Sequence, residues 1–599
     1  MKWILWCIAL CSALQVLGKD PIISYTLSIP EPQTHYVEVD LDIRDWRGKT
    51  ATVKMPVWTP GSYLIREYAQ HVEGVAAITP EGIELPVTKI EKNTWEVANG
   101  RADDFTVYYR VYAYEYTVRT SYVDADHAAL NLASICMFLA DHLDVGGTLK
   151  FEVPENWKKA TTSLPKVADN AFIRTFSDFD ELIDSPVELG NHETFTFTAA
   201  GVPHTVAMIG YAMYDKERLT ADLTKIVETC TAIFGDHPSD RYIFHVHNTL
   251  DRGGGLEHKN STSVIVGRHV YHNQRDYEGL MSLFIHEYFH LWNAKRLRPK
   301  ALGPFNYEKE NYTTLLWQVE GFTSYYDEYL MQRMDMISAD RYLRKLAGAV
   351  NSIRNTPGNY IQPVAESSMD AWIKYYRRNE NSKNTIISYY TKGNVIAASL
   401  DLLLLHHSNG QYQLEDVLRY LYETYYQKKD EGFTEAQLKA ALEEFAGIPL
   451  DDFFVQHIHG TQPVPIEQYL QYVGLQMRNQ RATTFAASLG ARTVESNGHV
   501  VVEQVLRNSA AWDGGLNVGD EIIAVNGQRV SKGLLSALLN GSAPGDRWEV
   551  LISRDGLLRV LPITLDVDTR VRYVIEKRAD ATPEEKALYE QWLNDKFDS

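Results

Sequence analysis

The sequence has few cysteines, no excess of basic residues and no long apolar run after its first residues, and each absence excludes a class of protein. Only 4 cysteines occur in 599 residues, too few for a disulfide framework to hold the fold together. The formal net charge of -19 is opposite to the basic surface that nucleic-acid binding requires. No later stretch approaches the ~20 apolar residues of a membrane helix. We therefore expect neither a nucleic-acid partner nor a membrane span.

The amino terminus has the pattern of a secretory leader. Lys2 precedes an apolar run over residues 3–17, and Gly18 is small enough to precede a signal-peptidase cut. We therefore predict a signal peptide over residues 1–18 and a secreted or periplasmic protein.

Two of the four cysteines, Cys7 and Cys11, fall in this leader. The mature chain then keeps Cys136 and Cys230, and the sequence leaves open whether they pair.

Hydrophobic periodicity divides the remaining chain into regions. Short alternating runs broken by Pro and Gly predict strands at both ends, and helical periods dominate between them. Within the helical region, Thr434 and Gln437 have capping-box spacing and predict the start of a helix. The predicted divisions are a β-rich N-terminal domain (19–198), a mainly helical domain (199–474), a small β domain (475–568) and a C-terminal helical tail (569–599). In the tail, Thr582–Phe597 has the pattern of one amphipathic helix.

The segment Trp58–Arg66 contains turn residues at Pro60 and Gly61. Such a turn is either a structural corner or the rim of a site. We expect a structural corner, because structural turns outnumber functional ones.

The strongest chemical pattern is His286-Glu287-Tyr-Phe-His290. Residues four apart share one face of a helix, so both imidazoles can bind one ion while Glu287 points towards a water on it. Leu283 and Phe284 supply the apolar surroundings of a buried helix. The other histidine pairs lack this spacing with a carboxylate between them. We predict one zinc ion per chain, with Glu287 as the general base.

A catalytic zinc site needs a third protein ligand. Glu320, in the run Trp317-Gln-Val-Glu-Gly-Phe, is our candidate. The alternative is a surface carboxylate, but the apolar and aromatic neighbours favour a buried one.

Several segments together resemble the M61 glycyl aminopeptidase family of gluzincin peptidases. The segments are Trp58–Arg66, Gly253–His258, His286–Pro299, Glu320-Gly-Phe, Tyr390–Gly393 and the distal β region. The resemblance implies a multidomain α+β protein, in which a β-rich N-terminal domain and a thermolysin-like, mainly helical catalytic domain are followed by a C-terminal PDZ-like β domain.

In related aminopeptidases a Gly-x-x-Glu-Asn-like strand lies along the cleft, and its carboxylate holds the free ammonium group of the substrate. The run Gly254-Gly255-Leu-Glu257-His258 is similar, with His258 in place of Asn. The resemblance implies that Glu257 binds the substrate amino end and that Gly254, Gly255 and His258 also contact substrate. A loop glutamate among turn glycines is the alternative.

The run Tyr390-Thr-Lys-Gly393 resembles the segment that carries a catalytic tyrosine in those enzymes. Tyr390 is therefore implied as the donor to the oxyanion, with Tyr389 as its competitor. One position departs from the pattern: thermolysin-like helices often place an Asp four residues after the glutamate ligand, whereas this chain has Ser324. The sequence leaves open what orients the two histidines.

The PDZ-like assignment rests on Ser488-Leu-Gly490, which resembles a carboxylate-binding loop, and on the run Ser509–Gly527. PDZ domains bind extended chain ends by strand addition. The sequence leaves open whether this region binds a peptide carboxyl end or only braces the catalytic domain.

Together these features predict a zinc aminopeptidase that removes small first residues, Gly and secondarily Ala, from peptides with a free amino end. The preference for small residues is implied only by the family resemblance. One alternative is a PDZ-guided zinc endopeptidase in which Glu257 is a subsite residue. Another alternative is a PDZ scaffold whose peptidase domain has lost its activity. Against it, all five expected metal-binding and catalytic positions are present.

Overall fold

The structure, a computed structural model, describes residues 20–598, so the predicted leader lies outside the described residues. The described chain divides into two compact units. Unit 1 comprises residues 20–56, 67–116 and 120–191, and unit 2 comprises residues 57–66, 117–119 and 192–598.

Unit 1 is built mainly of strands, as the alternating sequence predicted. In β2, for example, Val37, Val39, Leu41 and Ile43 point to one face and are buried, because successive side chains of a strand alternate. The strands are β1 Ile22–Ser28, β2 Tyr36–Arg44, β3 Ala51–Lys54, β4 Val72–Ile78, β5 Glu84–Leu85, β6 Val87–Glu91, β7 Thr94–Val97, β8 Phe105–Tyr112, β9 Tyr122–Val123, β10 Ala128–Leu130, β11 Phe138–Leu139, β12 Gly147–Glu152, β13 Lys159–Thr161, β14 Lys166–Val167, β15 Asn170–Phe176 and β16 Val187–Gly190, with one short α-helix, α1 Phe179–Ile183, among the described residues.

The strands of unit 1 form three sheets within the described residues. Their orders are β14–β15–β12–β1–β2–β8–β4–β5, β13–β16–β10–β9 and β11–β3–β7–β6. Strands β1 and β12 are parallel, and the other pairs are antiparallel.

Unit 2 begins with a mixed sheet that positions the candidate site. Its strands are β17 Glu193–Ala199, β18 Val202–Ile209, β19 Tyr242–Thr249, β20 Gly254–Glu257 and β21 Ser261–Gly267, in the order β17–β18–β19–β21–β20. Strands β18, β19 and β21 are parallel. Strand β20 pairs antiparallel with β21 and forms an edge of this sheet, so its outer side can face a cleft.

Helices pack on this sheet and on one another. They are α2 Lys216–Phe234, α3 Gln274–Phe289, α4 Leu316–Arg333, α5 Ala339–Arg354, α6 Val364–Met369, α7 Ser382–Thr385, α8 Tyr389–His407, α9 Leu414–Leu421, α10 Glu435–Ala446, α11 Asp451–Phe453 and α12 Ile466–Gln471. The predicted start at Thr434 is confirmed: both capping-box hydrogen bonds with Gln437 are present.

Helices α4 and α8 approach each other closely at two glycines. A Cβ atom on Gly321 would lie 2.4 Å from the Cα atom of Gly393, so no side chain fits between the helices there. The glycines of the Glu-Gly-Phe and Thr-Lys-Gly runs therefore have one shared role. They bring the backbones that carry Glu320 and Tyr390 together.

The distal β region has its own hydrophobic core and lies between two paired strands. Its elements are β22 Leu475–Asn479, β23 Ala487–Ser488, β24 Ala491–Ser496, β25 His499–Val505, α13 Ala510–Asp513, β26 Glu521–Val525, β27 Gln528–Arg529, α14 Lys532–Asn540, β28 Arg547–Arg554, β29 Leu557–Thr564, β30 Asp566–Val567 and β31 Tyr573–Lys577. The main sheet has the order β24–β25–β26–β28–β29, and β22 pairs antiparallel with β31. The chain therefore leaves and re-enters the helical body at neighbouring strands.

The chain ends in the helix α15 Pro583–Leu593, which the Thr582–Glu585 capping box starts. Its last turn is anchored to α4, because Gln332 Nε2 donates to Leu593 O at 2.6 Å and the Tyr329 hydroxyl donates to Trp592 O at 2.5 Å. The helix predicted over Thr582–Phe597 ends at Asn594, because the backbone of this residue is left-handed.

Cys136 lies in unit 1 and Cys230 on α2 of unit 2, and both are buried free thiols. Within residues 20–598, none of the helices combines the length and apolar character needed to cross a bilayer.

Candidate metal centre

Helices α3 and α4 bring the predicted ligands together. His286 and His290 lie one turn apart at the end of α3, and Glu320 lies in the second turn of α4. His286 Nε2 and His290 Nε2 are 3.2 Å apart. Their distances to Glu320 Oε2 are 3.5 Å and 3.3 Å. These three residues form the group that could hold a metal ion within the described chain.

Hydrogen bonds fix which nitrogen of each imidazole faces this centre. His290 Nδ1 lies 2.7 Å from Asn293 O, and a carbonyl oxygen can only accept, so Nδ1 carries the proton. His286 Nδ1 lies 2.9 Å from Asp327 Oδ2. Both Nε2 atoms therefore present lone pairs to each other and to the carboxylate of Glu320. With both imidazoles neutral, these three acceptors can bind one metal cation.

Asp327 orients His286, a role that Ser324, at the expected position, does not fill. It lies seven residues after Glu320, two turns along α4, and so shares a face with it. Its other oxygen accepts from Ser282 Oγ at 3.3 Å. The orienting carboxylate thus sits one turn beyond the expected position.

Glu287 points from α3 towards the edge strand β20. A Cβ atom on Gly255 would lie 1.9 Å from Glu287 Oε1, so the strand can pass the carboxylate only because residue 255 is glycine. The side chain is 5% exposed, and its Oε2 has no hydrogen-bond partner in the described chain. Burial raises the pKa of Glu287, with His286 acting in the opposite direction.

Glu257, at the end of β20, is a buried carboxylate without a protein partner. It is 5% exposed, and within residues 20–598 it accepts no hydrogen bond and forms no ion pair. Leaving a buried carboxylate unpaired costs several kcal/mol. Its position therefore indicates a cationic ligand that the chain itself does not supply.

The turn at Gly61 is part of this site, which was the less favoured of the two alternatives for this segment. Its φ of +82° is left-handed, and a Cβ atom there would lie 2.7 Å from both carboxylate oxygens of Glu257. Glycine is needed both for the backbone conformation and for the close approach. The segment Trp58–Arg66, expected to be a structural corner, therefore also forms the rim of the site.

The other predicted substrate contacts are placed differently. Gly255 lines the cavity beside the metal ligands. Gly254 lies next to Arg119, whose Nη1 would be 3.5 Å from a Cβ atom there. His258 is 2% exposed, and its N–H donates to Ser261 O at 2.9 Å in the turn after β20. Among the described residues of the cavity wall, Glu257 is present and His258 is not.

Tyr390 lines the cavity from the first turn of α8, whereas its competitor Tyr389 is fully buried behind it. The Tyr390 ring lies 6.3 Å from that of His286. Its hydroxyl is 3.4 Å from the hydroxyl of Tyr376, a neighbour that the sequence analysis missed. Burial, followed by the nearby carboxylate of Glu320, raises the pKa of Tyr390, so the phenol keeps its proton and can donate.

The metal ligands, Glu257, Glu287 and Tyr390 share one cavity of about 340 Å³. Besides the metal ligands its wall includes Gly61, Arg119, Gly255, Glu257, Gly279, Ser282, Leu283, Glu287, Asp327 and Tyr390. Arg119 contributes a guanidinium group, which donates to Gly255 O at 3.3 Å. No sequence pattern marked this arginine.

Three parts of the chain match known families. Residues 24–191 match the peptidase M61 N-terminal domain, residues 279–396 match the M61 glycyl aminopeptidase domain, and residues 480–534 match the PDZ domain. No curated protein matches the sequence.

The architecture is shared with a solved structure. An aminopeptidase N family protein from Idiomarina loihiensis is 31% identical, with a TM-score of 0.88 over 96% of this chain and 100% of that chain. An M1 zinc metallopeptidase mutant from Deinococcus radiodurans, bound to a Tyr-Ser-Ala substrate, is 12% identical, with a TM-score of 0.48 over 74% of this chain and 95% of that chain. The family matches and the 31% identical structure lead to one conclusion: the chain belongs to the M61 glycyl aminopeptidase family.

Proposed function

We propose that this protein is a zinc aminopeptidase that hydrolyses the first peptide bond of peptides with a small N-terminal residue. One observation carries the proposal: a buried carboxylate without a protein partner, Glu257, opens into the same cavity as a three-ligand metal centre. A substrate ammonium group supplies the missing charge, and its position sets which peptide bond reaches the centre.

The donor set fits zinc. Tetrahedral Zn–N bonds of about 2.0–2.1 Å place neighbouring ligand atoms roughly 3.3–3.4 Å apart, and the three distances among His286, His290 and Glu320 are 3.2, 3.3 and 3.5 Å. Two neutral imidazoles and one carboxylate would hold the ion and leave a coordination position open. When bound, zinc supplies a Lewis acid that polarises the scissile carbonyl and lowers the pKa of water.

Glu287 is proposed as the proton carrier. Its carboxylate accepts the proton of the attacking water and returns it to the nitrogen of the leaving amine. Burial against Gly255 holds the carboxylate in place and keeps its proton affinity high. The other carboxylates of the cavity have different roles. Glu320 and Asp327 contact the histidines, and Glu257 holds the amino end of the substrate.

Tyr390 is proposed to donate a hydrogen bond to the oxyanion that forms on the carbonyl. Preorganised donors aimed at developing charge give some of the largest single contributions to catalysis. The hydroxyl of Tyr376, 3.4 Å from that of Tyr390, positions the donor.

The preference for Gly and Ala is supported by the crowding around Glu257. Gly61 lies against its carboxylate, and Tyr63 is 4% exposed nearby. Burial, then the nearby carboxylates of Glu320 and Glu257, raise the pKa of Tyr63. This crowding leaves little room for a large first side chain.

Two further proposals concern the whole chain. The PDZ-like region is proposed to bind an extended peptide carboxyl end, supported by the position of β24 at a sheet edge beside the Ser488–Gly490 loop. The pattern of residues 1–18 supports a secreted or periplasmic location.

Chelation tests the metal requirement. We expect a chelator to abolish hydrolysis of Gly-peptides and one equivalent of zinc per chain to restore it, because every proposed step occurs at the metal centre. Zinc content is measured by atomic emission on the same samples. Full activity at a zinc content near zero would contradict the proposal.

A further inference from the structure

Beside the candidate active-site cavity lies a second cavity with a basic wall. It has a volume of about 390 Å³ and is lined by Arg275, Glu278, Gly279, Arg341, Arg344 and Lys345; we call it the basic cavity. Gly279 also lines the active-site cavity. The two cavities therefore meet at a residue that has no side chain to separate them.

Helical spacing explains why these groups face one another. Helices α3 and α5 each contribute three residues at positions i, i+3 and i+4, which share one face of a helix. An ion pair between Arg341 of α5 and Glu278 of α3 joins the two helices across the cavity. The walls are therefore fixed relative to each other.

The basic cavity carries positive charge that the chain does not neutralise. Lys345 is paired with Glu328 at 3.1 Å. Arg275 and Arg344 are exposed, and within residues 20–598 neither donates a hydrogen bond or forms an ion pair. In a chain of net charge -19, two unpaired guanidinium groups beside a peptide cleft indicate a carboxylate ligand, because the guanidinium fork matches carboxylate geometry.

Helix α3 sets the distance between this charge and the metal centre. Gly279 and Arg275 lie seven and eleven residues before His286, about 10 and 16 Å along the axis at a rise of 1.5 Å per residue. An extended peptide advances roughly 3.3 Å per residue. The wall of the active-site cavity follows α3 from His286 to Gly279. A peptide that has its amino end at Glu257 and its first bond at the metal centre, and that continues along this wall, reaches Gly279 after about three further residues and Arg275 after about five.

We propose that the basic cavity binds carboxylates of a short peptide substrate three to five residues after the scissile bond. The carboxylate is the free carboxyl terminus or an acidic side chain at that distance. The preferred substrates are then peptides of about four to six residues, or longer ones with an acidic residue there. This inference rests on the proposed aminopeptidase function.

The test compares peptides that differ only in this charge. Gly-Ala-Ala-Ala-Ala is offered as the free acid, as the carboxamide, and as a carboxamide with Asp in the last position. For the wild type we expect kcat/KM for the free acid to exceed that for the carboxamide about tenfold, which corresponds to ~1.4 kcal/mol, and the Asp peptide to recover most of this difference. The Arg275→Gln/Arg344→Gln double variant should cut all three peptides at the rate of the carboxamide.

Two controls accompany the double variant. Glycine p-nitroanilide does not extend to the basic cavity, so its hydrolysis should be unchanged. The Arg529→Gln/Arg559→Gln variant makes the same change of net charge at exposed arginines of the PDZ-like region and should keep the wild-type preference. If the Asp peptide recovers the higher kcat/KM, the basic cavity also binds acidic side chains. If only the free acid is preferred, it binds only the carboxyl ends of peptides.

Equal hydrolysis of the free acid and the carboxamide by the wild type would overturn this inference and leave the aminopeptidase proposal intact. Failure of the wild type to cut any peptide with a free amino end, or glycine p-nitroanilide, would overturn both.

Discussion

Replacing Glu287 by glutamine is expected to lower kcat for peptide hydrolysis about 10³-fold. Positioned general acid–base groups contribute roughly 10²–10⁴ in rate. The carboxylate of Glu287 lies against β20, and its Oε2 accepts no hydrogen bond from the described chain. Glutamine keeps the shape of the side chain and cannot accept the proton. The measurement is kcat on a Gly-peptide at saturating concentration.

The zinc content and thermal stability of Glu287→Gln should match the wild type, because Glu287 is not a proposed ligand and the substitution is isosteric. Glu228→Gln, at an exposed position of α2, is the matched control and should keep full activity. Residual activity within about tenfold of the wild type, at equal zinc content, would show that another group carries the proton.

Replacing Glu257 by glutamine is expected to lower kcat/KM for peptides with a free amino end about 10²–10³-fold. Removing one partner of a buried charge pair typically costs 2–5 kcal/mol, and each 1.4 kcal/mol is a factor of ten. The loss should be larger with Gly-peptides than with the same peptides acetylated at the amino end, because only the former offer an ammonium group. Kinetics on matched free and acetylated peptides measure both effects.

The zinc content of Glu257→Gln should stay at one per chain, which separates a lost amine clamp from a disturbed metal centre. If free and acetylated peptides lose activity equally, Glu257 is a subsite or structural residue, and the endopeptidase alternative gains support.

The local parts of the site could be predicted from the sequence. Helical spacing alone placed His286 and His290 on one face of a helix with Glu287 beside them. The apolar neighbours of Glu320 indicated a buried carboxylate on another helix. The β-rich, helical and β-rich order of the chain followed from hydrophobic periodicity. These features depend on residues close together in the sequence.

The missed parts of the site depend on long-range packing. Asp327 has only a weak local signal, which is its spacing of two helical turns from Glu320. This spacing indicates that the two carboxylates share a face of α4, but it does not indicate that His286 lies opposite. Gly61 and Arg119 reach the cleft from segments far from α3 in the sequence. The turn residues around Gly61 left a structural corner and the rim of a site both open, and no local pattern marked Arg119. Tyr376 is one of 36 tyrosines, and its neighbour Tyr390 lies on a different element.

The path of the chain around the distal β region also could not be predicted from local sequence patterns. Strands β22 and β31 pair across almost 100 residues, so neither strand's sequence indicates its partner. The sequence indicated the helix that follows, but its docking on α4 through the carbonyls of Trp592 and Leu593 is likewise a long-range contact.

The most direct test of the central claim is a comparison of Gly-Ala-Ala and its acetylated form as substrates of the zinc-loaded wild type, with the products identified by mass spectrometry. We expect release of glycine from the free peptide and cleavage of the acetylated peptide at least about 10² times more slowly, since an amide nitrogen offers no charge to Glu257. Equal rates for the two peptides, or cleavage at internal bonds of longer peptides with glycine left attached, would contradict an aminopeptidase.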